Sequence, residues 1–111
     1  MKIGFIGSGK IASSVITGIC NSKISFTKIL ISSRNKKISN NLKKKFKKVA
    51  IFKDNQEIIN NSNWIFLSIT PTVGQKIIKE LTFKSNQTII SFISTITLAQ
   101  LKKAIKVKAK I

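Results

Sequence analysis

At 111 residues and 42% apolar composition, the chain can bury one core of ordinary size and is too short for two typical domains. Its 21 Lys and Arg against 3 Asp and Glu give a formal charge of +18. That charge favours polyanionic partners without choosing among nucleic acid, acidic membrane and phosphorylated small molecules. The cations are lysines apart from Arg34, whereas nucleic-acid readers favour arginine for its bidentate fork. Solvated lysine faces are therefore the simpler reading and weigh against a nucleic-acid partner.

Cys20 is the single cysteine and the chain has no histidine. Disulfide, zinc and Cys–His chemistry are thereby unsupported, and a reducing cytoplasm suits the composition. The segment from Met1 to Cys20 is interrupted by glycines and Lys10 before a signal-peptide core can form. No run approaches the roughly 20 apolar residues that a membrane span needs.

In chain order, Lys2 to Ile6 reads as a short strand ended by Gly7, and Ile11, Val15, Ile16 and Ile19 recur at helical spacing from Lys10 to Asn21. Ile29 to Ile31 form a second strand, closed by "SSRN" at 32–35. The lysine-rich segment to Lys48 follows, with Ile38, Leu42 and Phe46 four apart, the seam of a surface helix. "VAIF" at 49–52 is a third strand. Asp54 with Glu57 forms a capping-box-like start to a brief helix through Asn60.

"WIFLSIT" at 64–70 is nearly all apolar, as expected of a strand covered on both faces. Thr70-Pro71 reads as an N-cap followed by proline in the first turn of a helix carrying Ile77, Ile78 and Leu81. "QTIISFI" at 87–93 gives a fifth strand, and Thr97 caps a short helix through Ala104. The alternating tail "KVKAKI" reads as an edge strand. The expected fold is therefore α/β, a single domain over residues 1–111. It is a doubly wound, mostly parallel six-stranded sheet of the Rossmann type with helices on both faces.

Gly7, Gly9 and Ala12 fit G-x-G-x-x-G/A between an expected strand and an expected helix, the context that this motif requires. Gly7 permits a sharp turn, Gly9 lets backbone approach a pyrophosphate, and Ala12 lets helix and strand pack closely. The helix start at Lys10 and Ile11 would supply free N–H groups to the phosphates, with Ser8 inside the turn. At the end of the second strand, where an NAD site carries Asp or Glu for the ribose 2′-hydroxyl, this chain has Ser32, Ser33, Arg34, Asn35 and Lys36. A hydroxyl-and-cation set suits a 2′-phosphate, so NADPH is expected in preference to NADH. The acids are Asp54, Glu57 and Glu80, and there is no His and no Tyr. Carboxylate pairs and His-centred triads are excluded, and no residue is assigned as catalytic. Any redox chemistry must come from a hydride carrier that the protein positions.

The opening "MKIGFIGSGKIASSVITGI", the block "DNQEIINNSNWIFLSITP" and the block "IISFISTITLAQL" together resemble pyrroline-5-carboxylate reductases across essentially the whole chain. The resemblance implies NADPH-dependent reduction of a cyclic imine, the last step of proline synthesis. It places Asn55 on the adenosine side of the cofactor and Ser33 and Arg34 at its 2′-phosphate. Ser68, Ile69, Thr70 and Pro71 would lie beside the ribose and nicotinamide.

Thr70 stands for the family's usual lysine, and Thr95 for a glycine where the chain passes the nicotinamide. Family members continue into a helical domain that dimerises and completes the substrate pocket. This chain, ending at Ile111, is expected to be a fragment or a truncated form, with imine substrate bound only when that second domain is supplied. The alternatives are a stand-alone, non-catalytic dinucleotide-binding module and, on charge alone, a basic nucleic-acid-binding protein.

Overall fold

A computed structural model describes residues 1–7, 9–33, 36–69 and 80–92. Five parallel strands, β1 (Lys2–Ile6), β2 (Lys28–Ser32), β3 (Val49–Phe52), β4 (Trp64–Leu67) and β5 (Thr88–Ser91), lie in the order β3-β2-β1-β4-β5. Three helices are described, α1 (Lys10–Cys20), α2 (Lys36–Lys45) and α3 (Asn55–Asn60). Strands β1 to β3 step outward to one side of β1, and the chain then returns to place β4 on the other side. Register runs Gly4 to Leu30 on one flank, and Gly4 to Ile65 and Phe5 to Phe66 on the other.

Alternation along the strands divides the core into two apolar layers. Ile3, Phe5, Ile29, Ile31 and Phe66 pack with Ala12 and Ile16 of α1 and Leu42 of α2. Ile6, Leu30, Ile65, Leu67 and Ile89 pack with Ile58 and Ile59 of α3 and with Phe83. The near-continuous hydrophobicity of β1, β2 and β4 is what a parallel strand buried on both faces requires. Phe5 and Phe66, paired in register, stack with centroids 4.8 Å apart, and Phe66 stacks on Phe92 at 5.7 Å. Gly4 is small for a packing reason: an added Cβ would collide with Ser62 Oγ and lie 2.7 Å from Ile58 Cγ2 of the α3 side.

Local chemistry accounts for the helix ends. Asp54 caps α3, its carboxylate accepting a 3.2 Å hydrogen bond from the Gln56 N–H. Lys43, Lys44 and Lys45 close the last turn of α2, where cations complement the helix dipole. Asn21 closes α1, its N–H donating to the Thr17 carbonyl at 3.0 Å.

The structure corrects several expectations drawn from the sequence. The stripe that α1 turns inward is Ala12 and Ile16, flanked by Val15 and Ile19. Ile11 is 54% exposed, because it lies about 100° round the helix from Ala12, off the face that α1 turns to the sheet. The fourth strand stops at Leu67 and the fifth runs only from Thr88 to Ser91, since Ser68, Ile69 and Phe92 follow the chain off the sheet's carboxyl edge. Trp64, expected in the core, is 39% exposed at the amino end of β4. Leu81 is irregular chain rather than helix, and packs against the layer that contains Phe83. The helix from Thr97 to Ala104 and the sixth, tail strand lie outside the described residues.

Candidate functional site

Parallel strands all deliver their following loops to one edge of the sheet, and where the strand order reverses the loops diverge and leave a crevice. Here the reversal lies between β1 and β4. Gly7, the residue after β1, and Ser68 and Ile69, after β4, meet at this point. The Ser68 N–H donates to the Ile6 carbonyl at 2.9 Å, and Ser68 Oγ lies 3.2 Å from the carbonyl oxygens of both Ile6 and Gly7.

Gly7 has φ +99°, and a Cβ there would stand 2.7 Å from Ile69 Cγ2 and 2.7 Å from the Ser68 carbonyl oxygen. Both the backbone angle and the close neighbour demand glycine. Gly9 differs. It is the N-cap of α1 with extended φ −84° and ψ −167°, and an added Cβ would meet no atom of the described residues beyond its chain neighbours within 4 Å. The side-chain-free position thus faces open space at the helix amino end.

Among the described residues no side chain caps α1, and no acid lies in its first turn, so its leading N–H groups and the positive end of its dipole face that space. Lys10 is exposed beside them, while Ala12 is fully buried against the sheet, as the spacing of the motif requires. A glycine turn, free helix N–H groups and a nearby ammonium are together a place for phosphate oxygens.

The neighbouring loops end on the same edge. Ser33 follows β2, its N–H donating to the Phe52 carbonyl of β3 at 3.0 Å. Ser39 of α2 is buried and donates from Oγ to the Ser32 carbonyl at 2.5 Å, tying the start of α2 to the end of β2. Lys36 and Lys37, the exposed first residues of α2, join this junction, as does exposed Lys53 directly after β3. Asn55 opens α3 after the Asp54 cap.

The topology therefore brings Gly7, Gly9, Lys10, Ile11, Ser33, Asn55, Ser68 and Ile69 to one edge. Ser8, Arg34, Thr70 and Pro71 lie outside the described residues. The sequence reading passed over Lys37 and Lys53, although each stands at a strand or helix end where a loop cation would be looked for. It also passed over Ser39, which no local pattern marks.

Among the described residues no group of His, Cys, Asp and Glu could hold a metal ion, and no described helix is long and apolar enough to cross a membrane. Cys20, half-buried at the end of α1, has its thiol pushed up by burial, with Lys48 opposing that shift.

The profile of the family described as NADP oxidoreductase, coenzyme F420-dependent, matches residues 2–95. Pyrroline-5-carboxylate reductase 3 of Danio rerio is 35% identical over 107 residues, covering 93% of this chain and 36% of the relative. The crystal structure of 1-pyrroline-5-carboxylate reductase from Streptococcus pyogenes shares 31% identity and a TM-score of 0.77, covering 95% of this chain and 38% of that one. The pyrroline carboxylate reductase of Plasmodium falciparum, solved with NADP bound, has a TM-score of 0.79 at 20% identity and covers the same shares, a likeness of fold. The chain thus spans a little over a third of the length of these relatives. It belongs to the NADP oxidoreductase family described as coenzyme F420-dependent, and is similar within it to the pyrroline-5-carboxylate reductases.

Proposed function

We propose that this chain is the cofactor-holding unit of a reductase that transfers hydride from NADPH to a cyclic imine, as the names of its relatives suggest for the whole protein. One observation carries the reading. At the β1–β4 reversal, Gly7 is held in a glycine-only conformation against Ser68 and Ile69, while Gly9 keeps open the space before the uncapped end of α1.

In this reading the pyrophosphate lies over Gly7, Ser8 and Gly9 against the first N–H groups of α1, with Lys10 and Ile11 at its flank. Ser33 and Arg34 take the 2′-phosphate, supported by Lys36, Lys37 and Lys53, and Asn55 contacts the adenosine side. Ser68, Ile69, Thr70 and Pro71 border the ribose and nicotinamide. When bound, NADPH would supply the hydride to the imine carbon as a proton reaches the nitrogen. The chain's own residues orient the carrier.

A sixth strand and a completed doubly wound sheet belong to the same proposal, as do a cytoplasmic location and a substrate-binding, dimerising domain beyond the cofactor unit.

The test is cofactor selection. Arg34→Ala should weaken NADPH more than NADH by about 1–3 kcal/mol, the worth of a charge-assisted contact. Equal losses for the two cofactors would remove Arg34 from the phosphate and, with it, the NADP preference.

A further inference from the structure

The buried residues of α2 are Ser39 and Leu42, with Ile38 and Phe46 packed beside them on the same apolar layer. Ser39 is 1% exposed, and its Oγ donates to the Ser32 carbonyl at 2.5 Å. A hydroxyl is tolerated in such a place when it is bonded, and a hydrogen bond fixes direction where apolar contact does not.

The bond joins the end of β2 to the first turns of α2 across seven positions. Ser32 stands in register with Phe52, and the Ser33 N–H donates to the Phe52 carbonyl at 3.0 Å. Ser33 and Lys53, the residue after β3, are therefore fixed to each other by the sheet itself. Lys36 and Lys37 are carried by α2 instead. The carboxyl half of that helix is held by Leu42 and by Lys43, whose Nζ donates to the Val49 carbonyl at 3.1 Å. Its amino half is tied to the sheet by Ser39.

We propose that Ser39 is a positioning residue for cofactor selection, setting Lys36 and Lys37 against Ser33 and Lys53 so that all four serve one phosphate. The inference rests on the cofactor reading above, in which this junction takes the 2′-phosphate. Buried as it is, Ser39 does not touch the cofactor and acts through the residues it holds. Cations already in place bind an anion without first being ordered around it.

Alanine is the best helix former and is no larger than serine, so Ser39→Ala removes the bond and keeps the helix. The control is Lys43→Met, which frees the other end of α2 from Val49. The full chain and both variants are titrated by calorimetry with NADPH and with NADH at one salt concentration.

Positioning predicts that Ser39→Ala lowers the ratio of NADPH to NADH affinity by about fivefold, the worth of one ordinary hydrogen bond, with NADH held within about twofold. Lys43→Met should leave that ratio within about twofold. Loss of both cofactors alike in Ser39→Ala would mean that the hydroxyl steadies the fold and nothing more. An equal fall in the ratio for both variants would mean that any loosening of α2 has this effect, and an unchanged ratio in Ser39→Ala would leave Ser39 no part in selection. Each of these results overturns the inference and leaves the cofactor reading standing. An unaltered chain that binds the two cofactors equally overturns the 2′-phosphate assignment, and the inference with it.

Discussion

Gly7 and Gly9 are two residues apart in one motif, yet the structure gives them separable roles. Gly7→Ala would force a Cβ into φ +99° and to 2.7 Å from both Ile69 Cγ2 and the Ser68 carbonyl oxygen. The backbone conformation alone costs about 1–3 kcal/mol, and the neighbouring Ser68 backbone cannot yield without disturbing its hydrogen bond to Ile6. At roughly 4–8 °C per kcal/mol for a domain near this size, a cost of about 2 kcal/mol lowers Tm by about 8–16 °C.

Gly9→Val meets no atom of the described residues at Cβ beyond its chain neighbours, and its extended backbone suits a β-branched residue. Its fold cost is that of a poorer N-cap, about 1 kcal/mol or less. The valine would instead occupy the space assigned to the pyrophosphate. Losing two charge-assisted contacts of about 1.5 kcal/mol each weakens NADPH by ~100-fold.

The assay is a thermal melt by circular dichroism beside an NADPH titration for each variant. The reasoning predicts a low Tm for Gly7→Ala, and a near-normal Tm with lost binding for Gly9→Val. A folded Gly9→Val chain that binds NADPH at unchanged affinity would refute it.

Phe66 bridges Phe5 and Phe92 in the stacked column; Phe66→Ala should lower the urea unfolding free energy by about 3–5 kcal/mol, and a loss below about 1 kcal/mol would show that the layer collapses around the gap. Burial raises the Cys20 thiol and Lys48 opposes it. Alkylation near neutral pH should therefore be slower in the folded chain than in denaturant, and slower still with Lys48→Met; a faster folded-state rate would contradict this. Because the folded thiol holds its proton more tightly, the sign of linkage is that stability falls as pH rises through the ordinary thiol range, which a pH series of urea melts can read.

The glycine turn and the buried strands were legible because each depends on a short-range rule: glycine where φ is positive, and apolar runs where a parallel strand is covered twice. Strand ends were less so. Ser68 and Ile69 are as strand-like in type as Leu67, but they leave the sheet to pack around Gly7, a contact across 61 positions.

Ile11 misled the helix reading because small Ala12, not Ile11, lies with Ile16 at the centre of the inward face, and an apolar spacing alone does not fix that phase. Trp64 misled for another reason, standing at the amino end of β4 where the strand is less covered. Ser39 left no mark at all, since a hydroxyl that bonds a backbone carbonyl seven positions away has no period and no motif.

The central claim is that this +18 chain binds NADPH by shape and not by charge alone. Trp64 lies at the sheet edge opposite the glycine turn, so heat, rather than contact quenching of Trp64, is the cleaner signal. Calorimetric titration with NADPH at low and at high salt tests the claim most directly. The account predicts one site per chain whose occupancy persists at high salt, because glycine-turn and helix N–H contacts are screened less than solvated lysines. Binding of several equivalents that vanishes as salt rises would contradict it, and would leave Gly7 and Gly9, between β1 and α1, as a turn and nothing more.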